Sequence, residues 1–273
     1  MTARYLLPAL LLLASCDPST STPDDPGGST ASTGIPPAKT IAVNIQKQYP
    51  HDTSAYTQGL VLHNGKLYEG TGDFENSSLR ITDITTGKVI EQFKMGTDKV
   101  FGEGITIFNN KIYQLTWQNR VVNVYDVKNI KQVVQTLAWP HEGWGITHNG
   151  TDLFISDGTS NLYRVNPTDL KVKTTIQVVD ESGPVSYLNE LEFIHGHVWA
   201  NVYQTDMIVK INPENGHVVG RVNLPGLAQQ YFPAEIKPDR TDVLNGIAYD
   251  SANKKIYFTG KRWPRMFEAT FSE

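Results

Sequence analysis

The sequence holds little cysteine, only a small surplus of negative charge and no long hydrophobic run. Cys16 is its one cysteine, which excludes an intramolecular disulfide and a cysteine-rich zinc site. Basic residues number 24 and acidic ones 28, for a formal net charge of −4. A nucleic-acid binder needs a basic surface to neutralise phosphates, so no nucleic-acid partner is expected. The apolar stretch Leu6 to Ala14 is too short for a permanent transmembrane helix. No segment shows helical periodicity, and there is neither a nucleophile elbow nor a Gly-rich phosphate loop. Gly70-Thr-Gly72 sits in a hairpin with no helix after it. The seven histidines fall at no ligand spacing, and His195-Gly-His197 reads as a solvated hairpin turn. Aromatics, by contrast, reach 10% and glycines 22. This composition folds rather than remaining disordered, and 273 residues suit one or two domains.

Residues 1–16 have signal-peptide anatomy: Arg4, the apolar stretch, then Leu13-Ala14-Ser15-Cys16. The last four resemble a bacterial lipobox. Cys16 is therefore expected to carry a lipid that anchors the chain to a membrane on the periplasmic side of a bacterial envelope. Residues 17–40 are almost wholly Asp, Pro, Ser, Thr, Gly and Ala. Such a segment buries too little apolar surface to offset its ordering entropy, and is expected to be a disordered tether. The folded domain then spans 41–273.

A repeat organises that domain. Gly59-Leu-Val-Leu-His-Asn-Gly-Lys-Leu-Tyr68 recurs from Gly104, Gly145, Glu190 and Gly246, at spacings of 45, 41, 45 and 56 residues. Each unit is a short apolar strand, a tight turn rich in Asn and Gly, and a second strand, which is a hairpin signature. Third and fourth strands follow, as in Leu79-Arg-Ile-Thr-Asp and Val89-Ile-Glu-Gln-Phe. Four antiparallel strands per unit at this period make a propeller blade. The fifth unit runs out of chain after Met266-Phe-Glu-Ala-Thr-Phe271, while Ile41-Ala-Val-Asn-Ile-Gln46 has no blade of its own. The pattern predicts an all-β, five-bladed β-propeller whose N-terminal strand closes the last blade. Nothing in the pattern encodes an oligomeric state, and a monomer is the default expectation.

Aligning the units exposes a second pattern. Gln58, Glu103, Trp144, Asn189 and Asn245 stand immediately before the first strands. Gly72, Trp117, Gly158, Tyr203 and Lys261 stand where the second strands end. In an antiparallel hairpin the start of one strand neighbours the end of the next. Both sets therefore open on one face, as a polar and aromatic funnel suited to a small ligand. Trp199 and Tyr257 match Tyr68 and Tyr113 within the repeat and are expected to pack between blades.

Tyr56-Thr-Gln-Gly-Leu60, Phe101-Gly-Glu-Gly-Ile-Thr106, Leu115-Thr-Trp117, Glu142-Gly-Trp-Gly-Ile146, Leu188-Asn-Glu-Leu-Glu192, Val198-Trp-Ala-Asn-Val202, Leu244-Asn-Gly-Ile-Ala248 and Thr259-Gly-Lys-Arg-Trp-Pro264 fall in order along the five units. Together they resemble the plant and bacterial glutaminyl-peptide cyclotransferases, from about residue 41 to the end. The resemblance implies a five-bladed propeller that converts an N-terminal glutamine into pyroglutamate and releases ammonia, with no metal or other cofactor. It implies that Glu103 is the central acid/base, with Asn189 and Lys261 as partners. Tyr56, Gln58, Phe101, Trp117 and Trp144 would line the substrate pocket. Tyr203 departs from it, standing where a tryptophan is expected. Two other readings remain open here. A metal-dependent lactonase-like propeller could use Glu103, Asn189 and Asn245 as a cation ring, and a non-catalytic propeller could bind peptides without turnover.

Overall fold

The computed structural model describes residues 34–95, 97–237 and 243–272. Cys16, the expected signal segment and the expected tether up to residue 33 lie outside the described residues.

Five antiparallel sheets follow one another along the chain. Blade 1 comprises Thr57–His63, Lys66–Thr71, Ser78–Thr82 and Val89–Lys94. Blades 2, 3 and 4 repeat this order with inner strands Gly102–Phe108, Ile146–His148 and Leu188–Ile194. Blade 5 takes Leu244–Asp250, Lys255–Gly260 and Arg265–Ser272 from the C-terminal end, and its outer strand is Ala42–Pro50. That strand pairs antiparallel with Arg265–Ser272, from Ala42 opposite Ser272 to Pro50 opposite Arg265. The ring is thus closed by the N-terminal strand, and the edge of blade 5 is covered.

Three features lay beyond the sequence pattern, one of them a small antiparallel pair of Val179–Asp180 with Gly183–Pro184. Pairing starts before residue 41, because Lys39–Thr40 lie parallel to Gly220 and Arg221 on the outer edge of blade 4. The long spacing before blade 5 contains a short helix, Leu227–Tyr231.

The hairpins obey their turn residues. Asn64 and Gly65 both have positive φ, 51° and 72°, as a two-residue type I′ turn requires. The core lies between blades. Tyr68, Leu79 and Ile81 of blade 1 pack with Ile105, Ile107, Ile112 and Tyr125 of blade 2. Trp199 and Tyr257 are in interblade clusters of the same kind. Near the axis the inner strands approach so closely that a Cβ on Gly145 would stand 2.0 Å from the Asn189 carbonyl oxygen. Blade 4 has Glu190 at the matching place. Its buried carboxyl accepts from Ile247 N of blade 5 at 2.8 Å and from Leu60 N of blade 1 at 3.3 Å.

The register breaks at one end of four inner strands: between Thr57 and Gly59, Gly102 and Ile105, Leu188 and Leu191, and Leu244 and Ile247. Such bulges re-aim side chains. Gln58, Glu103, Asn189 and Asn245 fall within them.

Candidate active site

At that end a cavity of about 240 Å³ is lined by Tyr56, Gln58, Phe101, Glu103, Trp117, Trp144, Asn189, Tyr203 and Lys261. The structure therefore brings together every residue named above for the pocket and the chemistry. Asn245, alone of the five residues before the first strands, stays out of this wall. It is fully buried, and its side-chain amide donates to Thr57 O at 2.9 Å and reaches Gln58 Oε1 at 3.4 Å. It supports Gln58 from behind and does not line the cavity beside Glu103 and Asn189.

Glu103 enters from the bulge that opens blade 2. It is 5% exposed, and burial holds its carboxyl well above the usual carboxylate range. The Lys261 ammonium opposes that rise, while the Glu142 carboxylate adds to it. Lys261 comes from the end of the second strand of blade 5 and is buried. Its Nζ donates to Gln58 Oε1 at 2.5 Å and lies 4.5 Å from the Tyr56 ring centre and 5.2 Å from that of Tyr203. Two aromatic faces thus hold the ammonium in place. The tyrosine at 203, where the resemblance leads one to expect tryptophan, is one of them. It also stands edge-on to Trp144, with ring centres 5.7 Å apart.

The remaining wall is aromatic. Phe101 stands edge-on to Tyr56 at 6.0 Å and to Trp117 at 5.8 Å. Gly72 and Gly158, the small members of the strand-end set, are explained by their neighbours. A Cβ on Gly72 would come within 2.2 Å of the Phe101 ring, so this place is covered by an aromatic from the next blade. Asn189 Oδ1 is buried and has no hydrogen-bond partner among the described residues, leaving an acceptor in the wall for a ligand N–H.

Sequence reasoning missed Glu142. Its Oε2 accepts from Trp117 Nε1 at 2.7 Å and from Trp144 Nε1 at 3.2 Å. One carboxylate fixes both indoles and biases Glu103. The signal lay in Glu142-Gly-Trp144, but the reach to Trp117 is tertiary. Behind the pocket, Glu69 accepts from Thr57 Oγ1 at 2.7 Å and Arg80 Nε at 2.8 Å, and its Oε1 lies 3.0 Å from His51 Nε2. This cluster ties down the segment that carries Tyr56 and Gln58. Among the described residues no group of three or more His, Cys, Asp or Glu side chains could hold a metal ion.

Residues 14–271 match the family model described as glutamine cyclotransferase. The chain belongs to the glutamine cyclotransferase family. A glutaminyl-peptide cyclotransferase of Arabidopsis thaliana is 40% identical over 228 residues, covering 83% of this chain and 70% of that protein. The crystal structure of Myxococcus xanthus glutaminyl cyclase superposes with a TM-score of 0.79 at 30% identity, over 86% of this chain and 98% of that one. The cyclotransferase family membership and the five-bladed fold therefore agree with the resemblance in the sequence.

Proposed function

We propose that this propeller is a glutaminyl-peptide cyclotransferase, in which an N-terminal glutamine closes on itself to pyroglutamate and ammonia leaves. The observation that carries the reading is Glu103, the one carboxyl among the nine residues that line the cavity. It is desolvated and faces the ammonium of Lys261. Family membership supports the same reading.

Nucleophile and electrophile belong to one residue, so the first task is to fold the glutamine side chain back on its α-amine. The aromatic wall favours that compact conformer and excludes water. As the α-nitrogen attacks the γ-carboxamide carbon, Glu103 takes the proton that the amine loses. It returns that proton to the departing nitrogen as the carbon–nitrogen bond breaks, so the carboxyl ends the cycle as it began. A carboxyl whose pKa is raised toward the working pH serves both directions well. The negative charge on the tetrahedral oxygen meets Lys261 Nζ and the Asn189 amide, and loss of one such donor costs about 10²–10³ in rate. The Asn189 Oδ1 that lacks a partner would take a substrate N–H.

A coupled ammonia assay on a Gln-initiated peptide, run with and without a chelator, tests this. Ammonia release that persists with the chelator is expected. Release abolished by the chelator would instead favour a metal-dependent propeller, and peptide binding without release would favour a non-catalytic one.

The lipobox-like Leu13-Ala14-Ser15-Cys16 places the enzyme, in this proposal, on the periplasmic side of a bacterial envelope membrane through a lipid on Cys16. Labelled palmitate should enter the wild type and not Cys16→Ser; an unlabelled wild type contradicts the anchor. One ring holds every proposed catalytic group, so a monomer suffices for activity.

A further inference from the structure

Among the described residues six large apolar side chains are clearly exposed: Phe74, Val89, Ile90, Val134, Val172 and Tyr187. Val89, Ile90, Val134 and Val172 lie on the outer strands of their blades, where an open face is ordinary. Phe74 is different. It follows Gly72, at the mouth of the cavity, and is 44% exposed. Its ring stands edge-on to Phe101 at 5.2 Å and tilted to Trp117 at 6.3 Å, and both of those residues line the cavity. Phe74 thus continues the aromatic wall outward into solvent.

The turn that presents it is held under strain. Asp73 has φ 97°, a conformation that a residue with a Cβ rarely adopts. Ser77 N and Ser77 Oγ both donate to Asp73 O, at 2.8 and 2.5 Å. Asp73 Oδ2 lies 3.4 Å from Arg262 Nη2, and the Arg262 guanidinium stacks on Tyr56 at 4.7 Å. Several contacts thus fix an exposed phenyl ring beside the pocket, at the cost of a strained backbone and an unburied aromatic.

A peptide occupant supplies the missing cover. With the α-amine and γ-carboxamide of glutamine inside the cavity, the rest of the chain must leave through the mouth. The next Cα lies 3.8 Å from the glutamine Cα, so the second side chain meets the rim. We propose that Phe74 is a specificity-determining residue that receives the side chain of the second substrate residue and favours an apolar or aromatic one. This rests on the cyclotransferase reading above.

The test compares kcat/KM for two tripeptide amides, Gln-Phe-Ala and Gln-Gly-Ala, in the wild type, Phe74→Ala and Phe74→Leu. The wild type should prefer Gln-Phe-Ala about tenfold or more, the scale of one apolar contact. Phe74→Ala should bring the ratio close to one, mainly through KM, and Phe74→Leu should hold it between. Ammonia release with a ratio unchanged by both substitutions overturns this inference alone. No ammonia from either peptide with the wild type overturns the cyclotransferase reading and this inference with it.

Discussion

Burial and two neighbouring charges, those of Lys261 and Glu142, decide how Glu103 titrates. Burial pushes the carboxyl up, Lys261 pulls it down and Glu142 pushes it further up. The base must be ionised in the free enzyme, so kcat/KM should climb with pH through an acid limb above the ordinary glutamate value of about 4.3. Glu142→Gln removes the carboxylate that disfavours ionisation of Glu103. The limb should then move to lower pH, while kcat/KM falls because a neutral amide oxygen holds the Trp117 and Trp144 indoles more weakly than the carboxylate does. A limb that stays in place, or rises, contradicts this coupling. Gly72 makes a steric prediction. Any Cβ there collides with Phe101, so Gly72→Ala should displace the ring and lower kcat/KM about 10- to 100-fold. Circular dichroism should show the fold retained, and kinetics like those of the wild type would show that Phe101 does not shape the productive complex.

Blade 1 shows how an element serves the site. Arg80 and Glu69 are 3% and 1% exposed at their side chains and form a buried pair through Nε, with Asp52 on Nη1 at 2.9 Å. Arg80 and His51 outweigh the desolvation of Glu69 and hold its carboxyl at about 2. The stability this gives is present above the usual glutamate value and is lost only as pH falls toward 2. Arg80→Met strands a buried carboxylate and should cost about 3–5 kcal/mol. A thermal melt of the variant measures it, and an unchanged melting temperature would refute the role. Much at this scale was legible in the sequence. Asn64-Gly65 marks its turn through positive φ, and Ile41-Ala-Val-Asn-Ile-Gln46 was a strand without a blade facing a blade without a strand. The site was legible because Gln58, Glu103 and Asn189 hold one phase of the repeat. Asn245 shares that phase, yet its amide turns to the Thr57 carbonyl, a choice set by its neighbours and not by phase. Glu142 and Phe74 gain their roles from partners far along the chain or from exposure, which no local pattern encodes. Lys39–Thr40 pair along an edge although residues 17–40, these two included, read as tether.

The whole ring is held by its closing strand and by two acidic groups on the inner strand of blade 4. Glu190 binds backbone donors of blades 5 and 1, and Glu192 accepts from Tyr249 N of blade 5 at 2.9 Å. Burial raises the Glu192 carboxyl to about 8, although its side chain is only partly covered. A carboxyl raised by folding stays protonated in the native state while the unfolded chain ionises. Its contribution is full below about 4.3 and is lost as pH rises toward 8. Glu192→Gln should therefore raise the melting temperature at pH 8 relative to the wild type, and should do so less at pH 5. A gain equal at both values would rule out the titration. The purpose of the closed ring is to bring five strand ends to one mouth around Glu103. The most direct measurement is steady-state ammonia release from a Gln-initiated peptide by the wild type and by Glu103→Gln, with both proteins shown to be folded. The account predicts rapid release by the wild type and a fall in kcat of about 10²–10⁴ in the variant, the range of general acid–base catalysis. Near-normal turnover by folded Glu103→Gln would contradict it.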